Sequence, residues 1–392
     1  MYPEPIILPL TGGNWHLIYS VAFTVLFISI LFIALQTPQG SRRWWALAGL
    51  AGVLIIAGQL FTDAWIHMIM FDSAALVTVG MVWDRKTAPA KNAARIYLVM
   101  LLAAVFLTAA GMFFAFGELL SALPLARITV ALIVVGFGLK LALIPFFFWL
   151  PGVAEHASPL TTAVIVALVD ISVFGELFHL ITATPWVFTE YAAVWLAIAL
   201  VSMFGGAVLA LSQSDIKRML AFSTIAGMGF LLIGVLTGSD IGIEGAFIGS
   251  LSHALSFTIL FSAVGVVEAR IGHSLTMKDR GVAANFPISG LAFLVGALNI
   301  IGIPPLLGFV GEWQLYLAGA EFGGAALVIA MAVVGAVTTL YYLRVVHHVW
   351  LGAPEREEFA KEPLLTKLIL VTLVVFGIIL GLFPGLISAL IS

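Results

Sequence analysis

The sequence contains no cysteine. Cysteine-ligated iron–sulfur clusters and c-type haem attachment are therefore excluded, so the chain is not expected to do redox chemistry itself. Charge is scarce too. Asp, Glu, Lys and Arg make up 9% of the residues, against about 25% in soluble domains. Polar linkers are missing: the longest polar stretch, WDRKTAPAKNAAR, is a short loop. No segment combines the basic and aromatic residues that would suggest nucleic acid. The N-terminal MYPEPIILPL lacks a basic n-region, so it does not read as a cleaved signal peptide, and the first apolar segment is expected to stay as a spanning helix. The apolar runs are continuous rather than alternating, which argues against strands. No nucleotide, flavin or haem pocket is readable, and neither a cofactor nor a metal is expected.

What is present is hydrocarbon. The chain is 62% hydrophobic, with a mean hydropathy of +1.16. Apolar runs of about 20 residues imply transmembrane helices. The expectation is an all-α polytopic membrane protein, a single transmembrane domain over 1–392 with about twelve spans. These fall near 15–36, 44–61, 63–83, 94–117, 124–150, 159–182, 187–211, 217–237, 242–268, 284–320, 323–350 and 363–391. The tenth is too long for one straight span and carries GIPPLLG, which reads as a break at Pro304–Pro305. The fifth runs into Pro145.

Of the 17 Lys and Arg residues, nearly all fall in or near loops on one side, among them Arg42, Arg85, Lys217, Arg280 and Arg356. Only Arg127 lies clearly opposite, and Lys140 is within a span. The positive-inside rule makes the basic side cytoplasmic and sets both termini outside a cell (inner or plasma) membrane. The second to sixth spans hold one broken helix with a charge, Lys140, and the seventh to eleventh another, with Glu312. Five-helix units have opposite topology, so the pattern suggests two inverted repeats, about 44–182 and 187–350, with peripheral helices 15–36 and 363–391.

An ionisable side chain inside hydrocarbon costs about 2.5–3.5 kcal/mol on insertion scales and needs a partner, a water or a function. The candidates are Asp72, Lys140, Asp170, Glu176, His253 and Glu312. Pro145 has no N–H to donate and clashes with the turn before it, so the helix loosens around residue 141 and offers Lys140 a hydrated niche. A small movement of a nearby carboxylate would then let the lysine release or take a proton. Glu312, seven residues past Pro305, follows the same logic with opposite sign. Blander readings exist for each. Asp72 could pair with an interhelical donor, Lys140 and Asp170 could form a static ion pair, and His253 could be a hydrogen-bonded core residue. Glu176 reads as a snorkelling residue near its helix end, Glu155–His156 as loop surface, and His347–His348 as interfacial.

GLKLALIPFFFWLP (138–151) resembles the lysine–x4–proline–x3–tryptophan–leucine–proline pattern of the antiporter-like membrane subunits of respiratory complex I, shared by Mrp-type cation/proton antiporters and membrane-bound hydrogenases. LSQSDIKRMLAFSTIAGMGF resembles the family's glutamine–x–aspartate–lysine–arginine segment, and SHALSFTILF its histidine-bearing helix. GIPPLLGFVGEW resembles the broken distal helix, with Glu312 in the place of the key lysine or glutamate. MFDSAALVTVG fits a segment that usually carries glutamate, so Asp72 would replace it.

The resemblance implies proton translocation along buried charges. Asp72 and Lys140 would be the proximal pair, His253 a middle relay and Glu312 the distal exit. It also implies partners: other antiporter-like and small membrane subunits, and a redox arm with iron–sulfur or nickel–iron subunits. Asp170 stands where relatives often carry lysine or histidine, which suggests it as an unusual partner for Lys140, and Phe257 stands where some relatives have lysine. The chain is more like the shorter members, including those of hydrogenases. The alternatives are a cation/proton antiporter module without a redox arm, a non-conducting scaffold, and an inorganic-carbon uptake subunit.

Overall fold

A computed structural model describes residues 15–37, 41–61, 63–117, 123–352 and 360–387. The N-terminal MYPEPIILPL and Arg356 lie outside the described residues. The chain forms helices α1 (Trp15–Ala34), α2 (Arg42–Gly58), α3 (Ala64–Trp83), α4 (Ala88–Phe116), α5 (Leu123–Lys140) and α6 (Trp149–His156). Next, α7 (Pro159–Ala163) continues through a π-helical segment, Val164–Val169, into α8 (Asp170–Ala183). Then come α9 (Trp186–Thr189), α10 (Ala192–Leu211), α11 (Ile216–Thr237), α12 (Asp240–Ile271), α13 (Pro287–Ile300), α14 (Leu307–Val345) and α15 (Leu364–Leu382). No strand forms among the described residues; Asp215 and Thr276 make an isolated β-bridge.

Nine helices among the described residues are long and apolar enough to cross a membrane. The helices α2 and α13, at 17 and 14 residues, are shorter. Gly324 interrupts α14 with φ 62° and ψ −161°, so that element is two apolar arms meeting at a kink.

Local chemistry sets the helix ends. Asp63, Thr87, Ser158, Asp215 and Ser239 accept hydrogen bonds from backbone N–H groups in the first turns of α3, α4, α7, α11 and α12. Pro89 and Pro159 sit in first turns, where the missing N–H costs nothing.

The helices sort by depth in the bundle. In α12 the most apolar stretch is 100% buried, and in α11 and the 159–183 helix it is 94% buried. The α15 helix is 22% buried and faces outward. Lipid tails are as apolar as leucine, so such helices hold together by close packing and polar contacts. The α10–α11 crossing shows it: a Cβ at Gly206 would lie 2.6 Å from the Ala226 amide nitrogen, and one at Gly229 2.6 Å from the Ala199 carbonyl.

The QSDIKR segment is a lock at one end of this core. Asp215 caps α11, and buried Lys217 reaches Glu268 on α12 at 3.2 Å. Arg218 donates to Gln213 at 3.0 Å and pairs with Glu155 on α6 at 2.5 Å. Glu155 is thus not plain loop surface, because Arg218 crosses from α11 to meet it.

Candidate functional site

The α5 helix ends at Lys140, and α6 begins at Trp149. Between them Pro145 offers no N–H, and Ala142 adopts φ 50°, a left-handed conformation costly for a residue with a Cβ. Two polar groups at this break have partners from other segments. The Trp149 indole N–H donates to the Leu139 carbonyl at 2.9 Å, and the Ile144 N–H donates to the Ser202 hydroxyl at 3.0 Å. Lys140 therefore sits at the carbonyl end of a helix, where a cation is favoured.

The Lys140 ammonium lies 2.7 Å from Asp72 Oδ1 on α3 and 2.7 Å from Glu176 Oε2 on α8. All three side chains are buried, with 2%, 8% and 1% of their surface exposed. The Phe137 ring lies 5.8 Å from the ammonium. A cavity of about 20 Å³ adjoins the cluster, lined among others by Tyr97, Trp149 and Asp170. That exceeds the roughly 10–15 Å³ a single water requires. Tyr97 stacks on Trp149 with ring centroids 4.5 Å apart and shares a hydrogen bond with Thr78 at 3.1 Å.

Two expectations are corrected here. Glu176 is not a snorkelling residue; it is buried on the core side of α8 and holds Lys140. Asp170 is not the partner of Lys140. It lines the same cavity, but its Oδ2 has no hydrogen-bond partner among the described residues. Glu176 lies six residues further along the helix and reaches with one more methylene.

The second break lies between α13, ending at Ile300, and α14, starting at Leu307, with Pro304 and Pro305 in between. Asn299 ties it to α12. Its amide donates to Ser252 Oγ at 3.0 Å and Ser256 Oγ at 2.6 Å, and its carbonyl accepts from the Gly308 N–H at 2.8 Å. Replacing Asn299 with alanine strands the buried Gly308 N–H, which costs about 1–3 kcal/mol. A lower unfolding temperature in detergent is expected. An unchanged unfolding temperature for Asn299→Ala would refute this.

Glu312 turns back into the break. A Cβ at Gly302 would lie 2.7 Å from Glu312 Cδ, and Gly302 has φ 75°, so both space and backbone require glycine there. Glu312 makes no ion pair among the described residues. It lines a cavity of about 60 Å³ with Ser223, Ser252, His253, Asn299 and Tyr341. The volume is enough for more than one water, and the lining offers polar partners. His253 is buried on α12, packed against Phe257 at 4.2 Å, and its Nε2 has no hydrogen-bond partner among the described residues. The structure thus gathers Asp72, Lys140 and Asp170 at one cavity and His253 and Glu312 at another. The α12 helix packs against the elements of both.

Three residues that the sequence reading passed over, His16, His67 and His179, come together at the ends of α1, α3 and α8. They belong to separate segments with no shared motif, so only the fold reveals them.

The broken helices, buried charges and all-helical core correspond to one family. Residues 62–339, more than half of the chain, match the family described as NADH:quinone oxidoreductase/Mrp antiporter, TM. The chain belongs to this family. It is 29% identical to NADH-quinone oxidoreductase subunit N of Desulforudis audaxviator, over 97% of this chain and 82% of that protein. It spans about half the length of several other curated subunit N relatives that it matches. Among solved structures, the fold is shared with a chain of the Mrp complex from Dietzia sp., with a TM-score of 0.85 and 20% identity over 96% of this chain and 82% of that one. It is also shared with a chain of respiratory complex I from Thermus thermophilus, with a TM-score of 0.79 and 24% identity over 94% and 85%. The protein is an antiporter-like membrane protein of this family.

Proposed function

We propose that this chain moves protons through buried charges as one subunit of a larger energy-converting membrane complex. The observation that carries the reading is the Lys140 ammonium held at 2.7 Å by both Asp72 and Glu176 at a helix break. One cation and two carboxylates leave a net charge of −1 when all are ionised. Such a cluster takes up one proton to become neutral and gives it back when a carboxylate moves away. Polar cavities beside Lys140 and beside Glu312 supply room for water to carry that proton.

In this reading a neighbouring subunit shifts Asp72 relative to Lys140. The lysine then relies on Glu176, and the change in charge passes by way of Asp170 and His253 to Glu312. Residues 44–182 and 187–350 act as two inverted repeats, each with one broken helix, in the cell membrane with both termini outside. The partners are other antiporter-like and small membrane subunits, and a redox arm drives them. Relatives that are subunits of NADH-quinone oxidoreductase support that arrangement.

A second reading has its own support. Asp72, Asp170 and Glu176 line one cavity, and clustered carboxylates are what a sodium site needs. An Mrp-type cation/proton exchange is therefore the alternative.

The test is gentle purification of the tagged chain from its native membrane, with mass spectrometry of what comes with it. Subunits bearing iron–sulfur, nickel–iron or flavin motifs are expected. Small membrane subunits alone would favour the antiporter. A chain that purifies without partners would overturn the subunit reading.

A further inference from the structure

His16 on α1, His67 on α3 and His179 on α8 each present a ring nitrogen, and these donor atoms all lie within 4.8 Å of one another. The ring centroids are 4.8 Å apart for His67–His179, 5.1 Å for His16–His179 and 6.1 Å for His16–His67. Three imidazoles on a tetrahedral ion, at a metal–nitrogen distance of about 2.0–2.1 Å, have centroids roughly 5 Å apart. The donor nitrogens on such an ion lie roughly 3.3 Å apart, so a pair now up to 4.8 Å apart closes by about 1.5 Å on binding.

His67 is fully buried, and neither of its ring nitrogens has a hydrogen-bond partner among the described residues. The same holds for His16 Nδ1 and His179 Nε2. A buried imidazole with both nitrogens unanswered is costly, at about 1–3 kcal/mol per group. Aromatic packing fixes the rings instead. Trp15 stacks on His16 at 3.5 Å, and Phe71 lies 4.2 Å from His67.

We infer that His16, His67 and His179 form a binding site for one divalent first-row transition metal of the zinc type. Neutral imidazole suits such ions, and three histidines leave a fourth position open for water. The residues lie near the start of α1, the start of α3 and the end of α8, so the site lies toward one end of the bundle. His16 and His179 are partly exposed there, which gives an entry path. Asp63, which caps α3 and is exposed, stands at the same end of α3 as His67.

The site also neighbours the charge cluster. His179 follows Glu176 by three residues, roughly 4.5 Å along the helix axis, and His67 precedes Asp72 by five, roughly 7.5 Å. A bound dication competes with Lys140 for those two carboxylates. This consequence rests on the proton-path reading, whereas binding itself does not.

The test uses the complex purified from its native membrane, stripped with chelator and titrated with Co²⁺. One equivalent should bind with the visible absorption of four-coordinate cobalt, and Zn²⁺ should displace it. His67→Ala should weaken binding by about 100-fold or more. His16→Ala and His179→Ala change partly exposed side chains, so they keep the test decisive if His67→Ala does not fold. Absence of saturable Co²⁺ binding, or binding that none of the three variants weakens, overturns the site. In a separate measurement Zn²⁺ should slow proton flux in the parent and not in His179→Ala. Binding without any slowing overturns the coupling to the charge cluster and leaves the site standing.

Discussion

Replacing Lys140 with methionine will abolish proton movement and lower stability together. The substitution removes the one cation that, among the described residues, pairs with Asp72 and Glu176 and leaves two buried carboxylates facing each other. Breaking a buried pair from one side costs about 3–5 kcal/mol, because the remaining charge is uncompensated. The carboxylates will respond by holding protons, which removes the exchange the proposed mechanism needs. A positioned proton-transfer group is worth about 100-fold or more in rate, so flux should fall to background in native vesicles read with a pH-sensitive dye. The triple variant Lys140→Met, Asp72→Asn, Glu176→Gln separates the two effects. It leaves none of the three paired charges to strand, so the unfolding temperature should recover while flux does not. Full flux in stable Lys140→Met would end the proton-path proposal.

Glu312→Gln should behave differently. Glu312 makes no ion pair among the described residues, and glutamine keeps its shape, so stability should change by less than about 1 kcal/mol. The variant removes the titrating group beside the 60 Å³ cavity, and flux should drop by about 100-fold on the same reasoning. Gly302→Ala offers an independent route to the same end. Its new methyl would occupy the space of the Glu312 carboxylate and expel it, so Gly302→Ala should lose flux although Glu312 is intact. Normal flux in Glu312→Gln would remove it from the path and place the exit elsewhere.

The sequence made some of this readable and hid the rest for physical reasons. The breaks at Pro145 and at Pro304–Pro305 were legible because the effect of proline on a helix is local. Lys140, Asp72, His253 and Glu312 were legible as candidates because an ionisable group in an apolar run stands out. Glu176 was misread because sequence gives the position of a residue along its helix and not the direction it faces. A helix apolar on every side has no polar face to mark the core. The π-helical segment Val164–Val169 adds to the difficulty, since it changes the helical register just before Asp170 and Glu176. The three histidines were invisible for another reason: they are brought together by tertiary packing of α1, α3 and α8.

The charges around Lys140 all come from residues 72 to 176. The polar residues around Glu312 come from α11 to α14, which lie later in the chain. The first cluster therefore has all three of its charges within the first half of the chain, on α3, α5 and α8. Pairing there shields a lysine and two acids that would each meet lipid at a cost of about 2.5–3.5 kcal/mol. The first ion pair thus needs no residue from the second half of the chain.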